Sequence, residues 1–403
     1  MIEAIASERS FSPEPLASAP AAPWLGSLRR RAFARFEQLG FPTAHDEAWR
    51  YTGVQPITDT AWTRARHDQE FRFLPPAGVR VSRLPQALAE AEPLLGRIAE
   101  FENDAFTALN TASFEDAIVL EILPGAVIAQ PIEIVLRSPD AGRPEVSYPR
   151  VLVLAGARSQ ASLVQTFRGE GRSFTNAVTE ISLGEGAILE HTLFQRESAT
   201  ACHVHTLAAR QARGSRLTSH NIALGAALAR TNLNVVLAAE GAECALYGLF
   251  VGKGAQHLDL HTLIDHASPR CVSRELYKGI LDGAARGVFH GTILVRAGAQ
   301  KTDAVQTNKN LLLSGQALVN STPALEILAD DVKCRHGSTT GQLDAAALFY
   351  LRARGIGEEA ARALLTWAFA ADVAERIAVP SVRAEVEREL GLLLAGAPPA
   401  VTA

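Results

Sequence analysis

The chain has 403 residues, 47% of them hydrophobic and 20% charged, which is the composition of a folded globular protein long enough for one large core with attachments or for two or three domains. Lys plus Arg number 39 against 43 Asp plus Glu, for a net charge of -4, and no basic run exceeds Arg29–Arg31, so nucleic acid is not expected as a partner. The most apolar region, 117–136, is broken by Glu121, Pro124, Pro131 and Glu133 and falls short of the roughly 18 apolar residues of a membrane span. No basic n-region and apolar h-region open the chain, and Cys202, Cys244, Cys271 and Cys334 form no C-x-x-C, which together predict a cytoplasmic protein with reduced thiols.

The first twenty or so residues, rich in Ala, Pro and Ser, read as a loose tail. Leu25, Leu28, Ala32, Phe36 and Leu39 then recur at helical spacing until Gly40 and Pro42, and a second helical stretch is expected over 84–100, interrupted by Pro93. From about Ala117 to Ile327 the helical period disappears. Gly125, Gly156, Gly186, Gly214 and Gly241 each follow a β-prone run, at steps of 31, 30, 28 and 27 residues. Strand–turn units without intervening helices favour stacked β-coils over a doubly wound sheet, and runs apolar throughout, such as Val151–Ala155, argue against a half-exposed sandwich. The expected architecture is mainly β: a right-handed parallel β-helix core over residues 111–340, a helical N-terminal region with its tail over 1–110, and a helical C-terminal region over 341–403. In that last region Asp344 is the expected N-cap of a helix ending near Gly355. Glu358 and Glu359 begin another, with Leu365, Phe369, Val373 and Ile377 on one stripe beside Ala361, Leu364 and Ala368. That stripe suits docking onto the β-core or binding a partner.

Familiar enzyme motifs are missing. Gly252-Lys253-Gly254 lacks the upstream glycine and the hydroxyl residue of a phosphate loop, Gly355-Ile356-Gly357 follows a helix rather than a strand, and no G-x-S-x-G occurs. His203 and His205 share one strand face, as do His257, Asp259 and His261, but polar alternation on the outside of a sheet accounts for both sets without a metal. Cys334 and His336 offer a thiolate and an imidazole, both suited to iron or zinc. On an extended strand their Cα atoms lie roughly 6.6 Å apart on one face. Lys333 and Arg335 then face the other way, where their charge lowers the thiol pKa less than a facing cation would. Two ligands are half of a tetrahedral set, so the rest would come from Asp330 or Asp331, from elsewhere in the fold or from another subunit. A buried cysteine beside a structural histidine is the competing reading.

An ordered series of segments carries a resemblance. It runs through His266, Ser273-Arg274, Tyr277-Lys278-Gly279, Val288-Phe289-His290-Gly291, the run AQKTDAVQTNKNLLLS from Ala299, PALEILADDVKCRHGSTTGQLD from Pro323 and LFYLRARGI from Leu348, with EAWRYT at Glu47–Thr52. The chain thereby resembles the SufB/SufD family of iron–sulfur cluster assembly proteins, and the SufD branch in particular because the N-terminal cysteine motif often seen in SufB is missing. The resemblance implies a parallel β-helix with helical ends, a non-enzymatic role, and a complex with a SufB-like subunit at the β-helix edge and a SufC-like ATPase at the C-terminal helices. It also implies that the family's cluster-assembly residues fall on Cys334 and His336, where a nascent cluster or iron would be held transiently and shared with SufB. Arg335 and Ser338 depart from the usual CSHGA form and leave both candidate ligands in place; Glu326 is read as structural. The residues decide neither for nor against a flavin or a homodimer of the isolated chain. The rival readings are a purely structural adaptor for the ATPase and a β-helix enzyme acting on polysaccharide, the latter disfavoured by only 6% aromatic residues.

Overall fold

A computed structural model describes residues 11–14, 22–65, 68–71, 75–138 and 140–393. Its centre is a two-sheet parallel solenoid. From Gln160 onward, successive strands alternate between the sheets, so one coil is one strand of each. In one sheet Gln160, Ile188, Arg216, Glu243, Val272, Asp303 and Lys333 stack on one another through parallel pairing, and in the other Phe174, Cys202, Leu228, His257, Arg286 and Leu318 do the same. Among the described residues the main path of each sheet has eight parallel strands, from Ile118–Ile122 to Leu318–Ile327 in one and from Ile132–Ser138 to Lys333–Gly341 in the other, and the short strands Glu145–Ser147 and Thr63–Arg64 form a parallel side branch of the first. The repeat read from the sequence is this stacking.

The turns explain the glycines, with one correction. Gly125, Arg158, Gly186, Gly214, Gly241, Arg270 and Lys301 all adopt positive φ between 57° and 73°. Each donates its backbone N–H to a carbonyl one coil further on, from Gly125 to Ala157 at 2.9 Å through to Lys301 to Asp331 at 2.7 Å. Glycine reaches this left-handed conformation without steric cost, which is why it marks most of the coils. Gly156 is not in that series. Its φ is ordinary, and a Cβ there would fall 2.6 Å from the Pro124 nitrogen, so it is glycine for lack of room, while Arg158 takes the left-handed position of its coil. Arg270 and Lys301 continue the ladder where no glycine signals it.

The runs that are apolar throughout are buried on both faces. Val151 and Val153 point into the solenoid among Ile118, Leu120, Ile181 and Leu207, whereas Leu152 faces outward beneath the N-terminal region with Phe106, Phe114 and Phe174. That region is anchored by helix Pro23–Leu39, which buries Leu25, Leu28, Ala32 and Phe36 as its spacing predicts, and by helix Ala105–Ser113, capped by Asp104 through the Thr107 N–H at 2.9 Å. Buried Glu180 on the outer sheet face accepts the backbone N–H groups of Gly96, Ile98 and Ala99 and pairs with Arg150, which in turn donates to Asn110 and Thr111. The expected helix over 84–100 is instead two short turns of helix, Leu84–Gln86 and Leu88–Ala91, followed by turns, because Glu180 draws that backbone into loop form. Of the expected tail, residues 1–10 and 15–21 lie outside the described residues, and Phe11 is held in place against Phe41 and Phe174.

The other sheet's outer face is covered from the C-terminal side. Helix Glu358–Ala374 lays Ala370 and Val373 on Phe194, Ile222, Leu249 and Ile280, and helix Pro380–Leu393 adds Val382, Val386 and Leu390. Lys278 fixes the docking by donating to the Phe369 carbonyl at 3.0 Å and pairing with Asp372 at 2.8 Å. Of the expected stripe, Val373 and Ile377 are buried, Leu364, Leu365 and Phe369 half-buried and Ala368 exposed. Asp344 caps helix Ala345–Ala353 through the Ala346 N–H at 2.8 Å, yet that helix buries no residue. No described helix is long and apolar enough to cross a membrane.

The ladder of left-handed turns makes a direct prediction. A Cβ on Gly214 would meet nothing within 4 Å, so Gly214→Ala should cost only the backbone term, roughly 1–2 kcal/mol, measured by urea denaturation. The same exchange at Gly156 should cost more, since backbone atoms must move.

Candidate functional site

The two ends of the solenoid differ. At the N-terminal end the parallel order is closed by antiparallel strands, Val79–Arg83 on Ile118–Ile122 and Asp68–Phe71 on Ile132–Ser138. At the C-terminal end strands Leu318–Ile327 and Lys333–Gly341 each pair, among the described residues, on one side only, with Arg286–Val295 and Asp303–Leu312. Both are long and largely uncovered, with Leu318, Ile327 and Leu328 exposed. Such an edge presents unpaired N–H and C=O groups in a row and is a template for another chain.

Cys334 and His336 lie on this last strand, in register with Ala304 and Gln306. Cys334 points inward against Ile293, Val295, Ala299, Ala304 and Ala329, with Leu325 and Val332 beside it. His336, two residues on, belongs to the same inner column and is exposed because no coil covers it. Burial, with a smaller push from Asp303, raises the Cys334 thiol above its ordinary range, so Lys333 and Arg335 do not activate it as expected. A metal would therefore bind at this cysteine by displacing its proton. Asp331 pairs with Lys301 at the turn, Asp330 is exposed, and Glu326 is exposed on the outer face. Among the described residues no group of three or more His, Cys, Asp and Glu side chains is gathered so that it could hold a metal ion.

Behind the last coil the interior is polar. Glu275, fully buried, accepts from Thr262 of the opposite sheet at 2.6 Å and from the Gln306 amide nitrogen at 2.8 Å, and burial pushes its carboxyl up to about 7. Ser338 and Ser321 meet at 2.7 Å across the gap between the sheets, and Ser321 also donates to Asn308 at 2.8 Å. Sequence reasoning overlooked these groups, because a polar residue in an alternating strand carries no sign of whether it faces water or the solenoid interior.

The histidine sets fall on opposite faces. His203 and His205 share a face, but it is the inner one. His203 lies 2.7 Å from buried Glu197, and His205 contacts Thr179 at 3.0 Å, with burial holding its pKa well below the usual value. The expectation that they stand outside the sheet is corrected: the space between the sheets accommodates a hydrogen-bonded cluster that also includes His191 and Gln165. His257, Asp259 and His261 do align on an outer face. Burial would raise the Asp259 pKa, but Arg230 at 2.7 Å, His261 at 3.0 Å and the Thr52 hydroxyl at 2.6 Å hold it below the usual carboxylate range. Arg230 also donates to the Ala48 carbonyl and lies 3.8 Å from the Trp49 ring centroid, so this cluster fastens residues 47–52 onto the solenoid.

Comparison with known proteins agrees with this architecture. Residues 136–369 match the family model described as the SufBD core domain of the SUF system for FeS cluster assembly. An iron-sulfur cluster assembly SufBD family protein of Synechocystis is 34% identical over 71% of this chain and 65% of its own length, and the chain thus spans just under two thirds of that relative. A SufBD family protein of Mycobacterium tuberculosis is 32% identical over 89% of this chain and 92% of its own. The iron-sulfur cluster assembly protein SufD of Escherichia coli is 28% identical over 89% and 90%. With the solenoid, its helical ends and the matched core in agreement, the chain belongs to the SufBD family of iron–sulfur cluster assembly proteins.

Proposed function

We propose that this chain is a SufD-like subunit that builds clusters together with a SufB-like subunit and a SufC-like ATPase, and that it contributes half of the assembly site. The observation that carries this reading is the position of Cys334 and His336 on the unpaired last strand. A second solenoid adding its own edge strand would continue the sheets by β-augmentation and bring further ligands beside these two, completing a set that one chain does not hold. The nascent cluster, or its iron, is cargo held there transiently. The chain acts as an assembly subunit and not as an enzyme, working in the cytoplasm, where its four free cysteines stay reduced.

Helix Ala345–Ala353 is the favoured ATPase contact. Phe349 and Tyr350 are 73% and 58% exposed on an element that buries nothing, while the two helices after it are spent on covering the sheet. A subunit without a phosphate loop gains access to ATP-driven movement through such a contact. A purely structural adaptor would use the same helix without needing the cysteine or the histidine.

Replacing Cys334 or His336 with Ala should leave folding and complex formation intact and reduce cluster maturation in cells by at least 10-fold, together with the iron and sulfide content of the anaerobically purified complex. Full maturation in both variants would leave only the adaptor role. Phe349→Ala combined with Tyr350→Ala should abolish co-purification of the ATPase while thermal stability changes little, because neither side chain is buried. Retention of the ATPase by that double variant would move the contact elsewhere.

A further inference from the structure

The coil beneath His336 contains a buried hydrogen-bond acceptor with nothing to accept from. Gln306 is 1% exposed, its amide nitrogen donates to Glu275 at 2.8 Å, and its Oε1 is buried without a partner. Glu275 also takes the Thr262 hydroxyl at 2.6 Å, so once ionised the carboxylate is held between two donors and accepts only from the nitrogen end of the Gln306 amide. The amide oxygen is thereby turned away from Glu275. Gln306 pairs in register with Glu275's strand on one side and with His336 on the other, the next inward position along the same column, about 4.8 Å away along the ladder. On the far side of His336 lies only the open edge.

We propose that Gln306 is a positioning residue for His336: its amide oxygen accepts one imidazole N–H and so leaves the lone pair of the other ring nitrogen aimed out of the open end, toward iron. A neutral imidazole carries one N–H, so the partner of that N–H decides which nitrogen can ligate. Thr262, Glu275, Gln306 and His336 then form one chain of donors and acceptors running along the solenoid interior to the edge. The inference rests on the reading of His336 as a ligand, but the tautomer it predicts is observable without metal or partner.

The test is ¹⁵N NMR of the full chain labelled at histidine, at a pH above both the ordinary histidine value of about 6.5 and that of Glu275. Wild type should show His336 as a single tautomer. Gln306→Met, which keeps volume and removes the acceptor, should shift the two His336 nitrogen resonances toward each other as both tautomers become populated. Glu275→Gln, which frees the Gln306 amide to reverse two coils from the edge, should shift them in the same direction and serves if the first variant folds poorly. In cells Gln306→Met should slow cluster maturation by roughly 10-fold. Unchanged His336 resonances in both variants would overturn the positioning role and leave the ligand reading intact. Full maturation with His336→Ala, alongside the predicted resonance shifts, would overturn the ligand reading while the hydrogen bond stands.

Discussion

A parallel β-solenoid satisfies the backbone of each coil with the next, and therefore cannot satisfy its last. Everything that distinguishes the two ends of this molecule follows from that constraint. The first coil is capped by strands that reverse direction, whereas the last leaves Leu318–Ile327 and Lys333–Gly341 each paired on one side only. Proteins usually blunt such edges with charge, proline or a covering element. Here Pro323 lies within one edge strand and Lys333 and Arg335 within the other, which also carries the cysteine and histidine that the family resemblance singles out, along an inner column that opens at the same place. Structural incompleteness and chemical incompleteness coincide, and one partner edge would resolve both.

The rest of the chain is organised around the faces of the two sheets. Their outer faces combine apolar patches with a few buried ion pairs and are covered from opposite termini: the N-terminal helices and the loop drawn in by Glu180 on one, and helices Glu358–Ala374 and Pro380–Leu393 on the other. The space between the sheets is less uniformly apolar than a core of this size would suggest. Glu197, His203, His205, His191 and Gln165 form one buried polar cluster, and Thr262, Glu275 and Gln306 another nearer the open end. Among the described residues several buried polar atoms lack a partner, and the Gln306 amide oxygen is the one whose in-register neighbour, His336, carries a donor at the open edge.

Much of this was legible in the sequence, for identifiable reasons. The coil period showed through glycine because most turns require a positive φ, yet it faded after Gly241 where Arg270 and Lys301 adopt the same conformation without announcing it. Helix Pro23–Leu39 was readable from its spacing, and so was the Asp344 cap. Helix Pro380–Leu393 was overlooked although Val382, Val386 and Leu390 recur every four residues. The face on which His203 and His205 lie was not readable, since period two gives the alternation but not which side is inside. The thiol of Cys334 illustrates the same limit: neighbouring charges in sequence suggested a lowered pKa, and burial among Ile293, Val295 and Ala299 raises it.

The central claim, that the open end of the solenoid is completed by a second edge, is tested most directly by amide hydrogen exchange on the full chain, alone and with a SufB-like subunit. Protection should appear in Leu318–Ile327 and Lys333–Gly341 when the partner is added, at the amides that point past the open edge, while the capped N-terminal end is unchanged. Exchange in those two strands that is the same with and without a bound partner would contradict it.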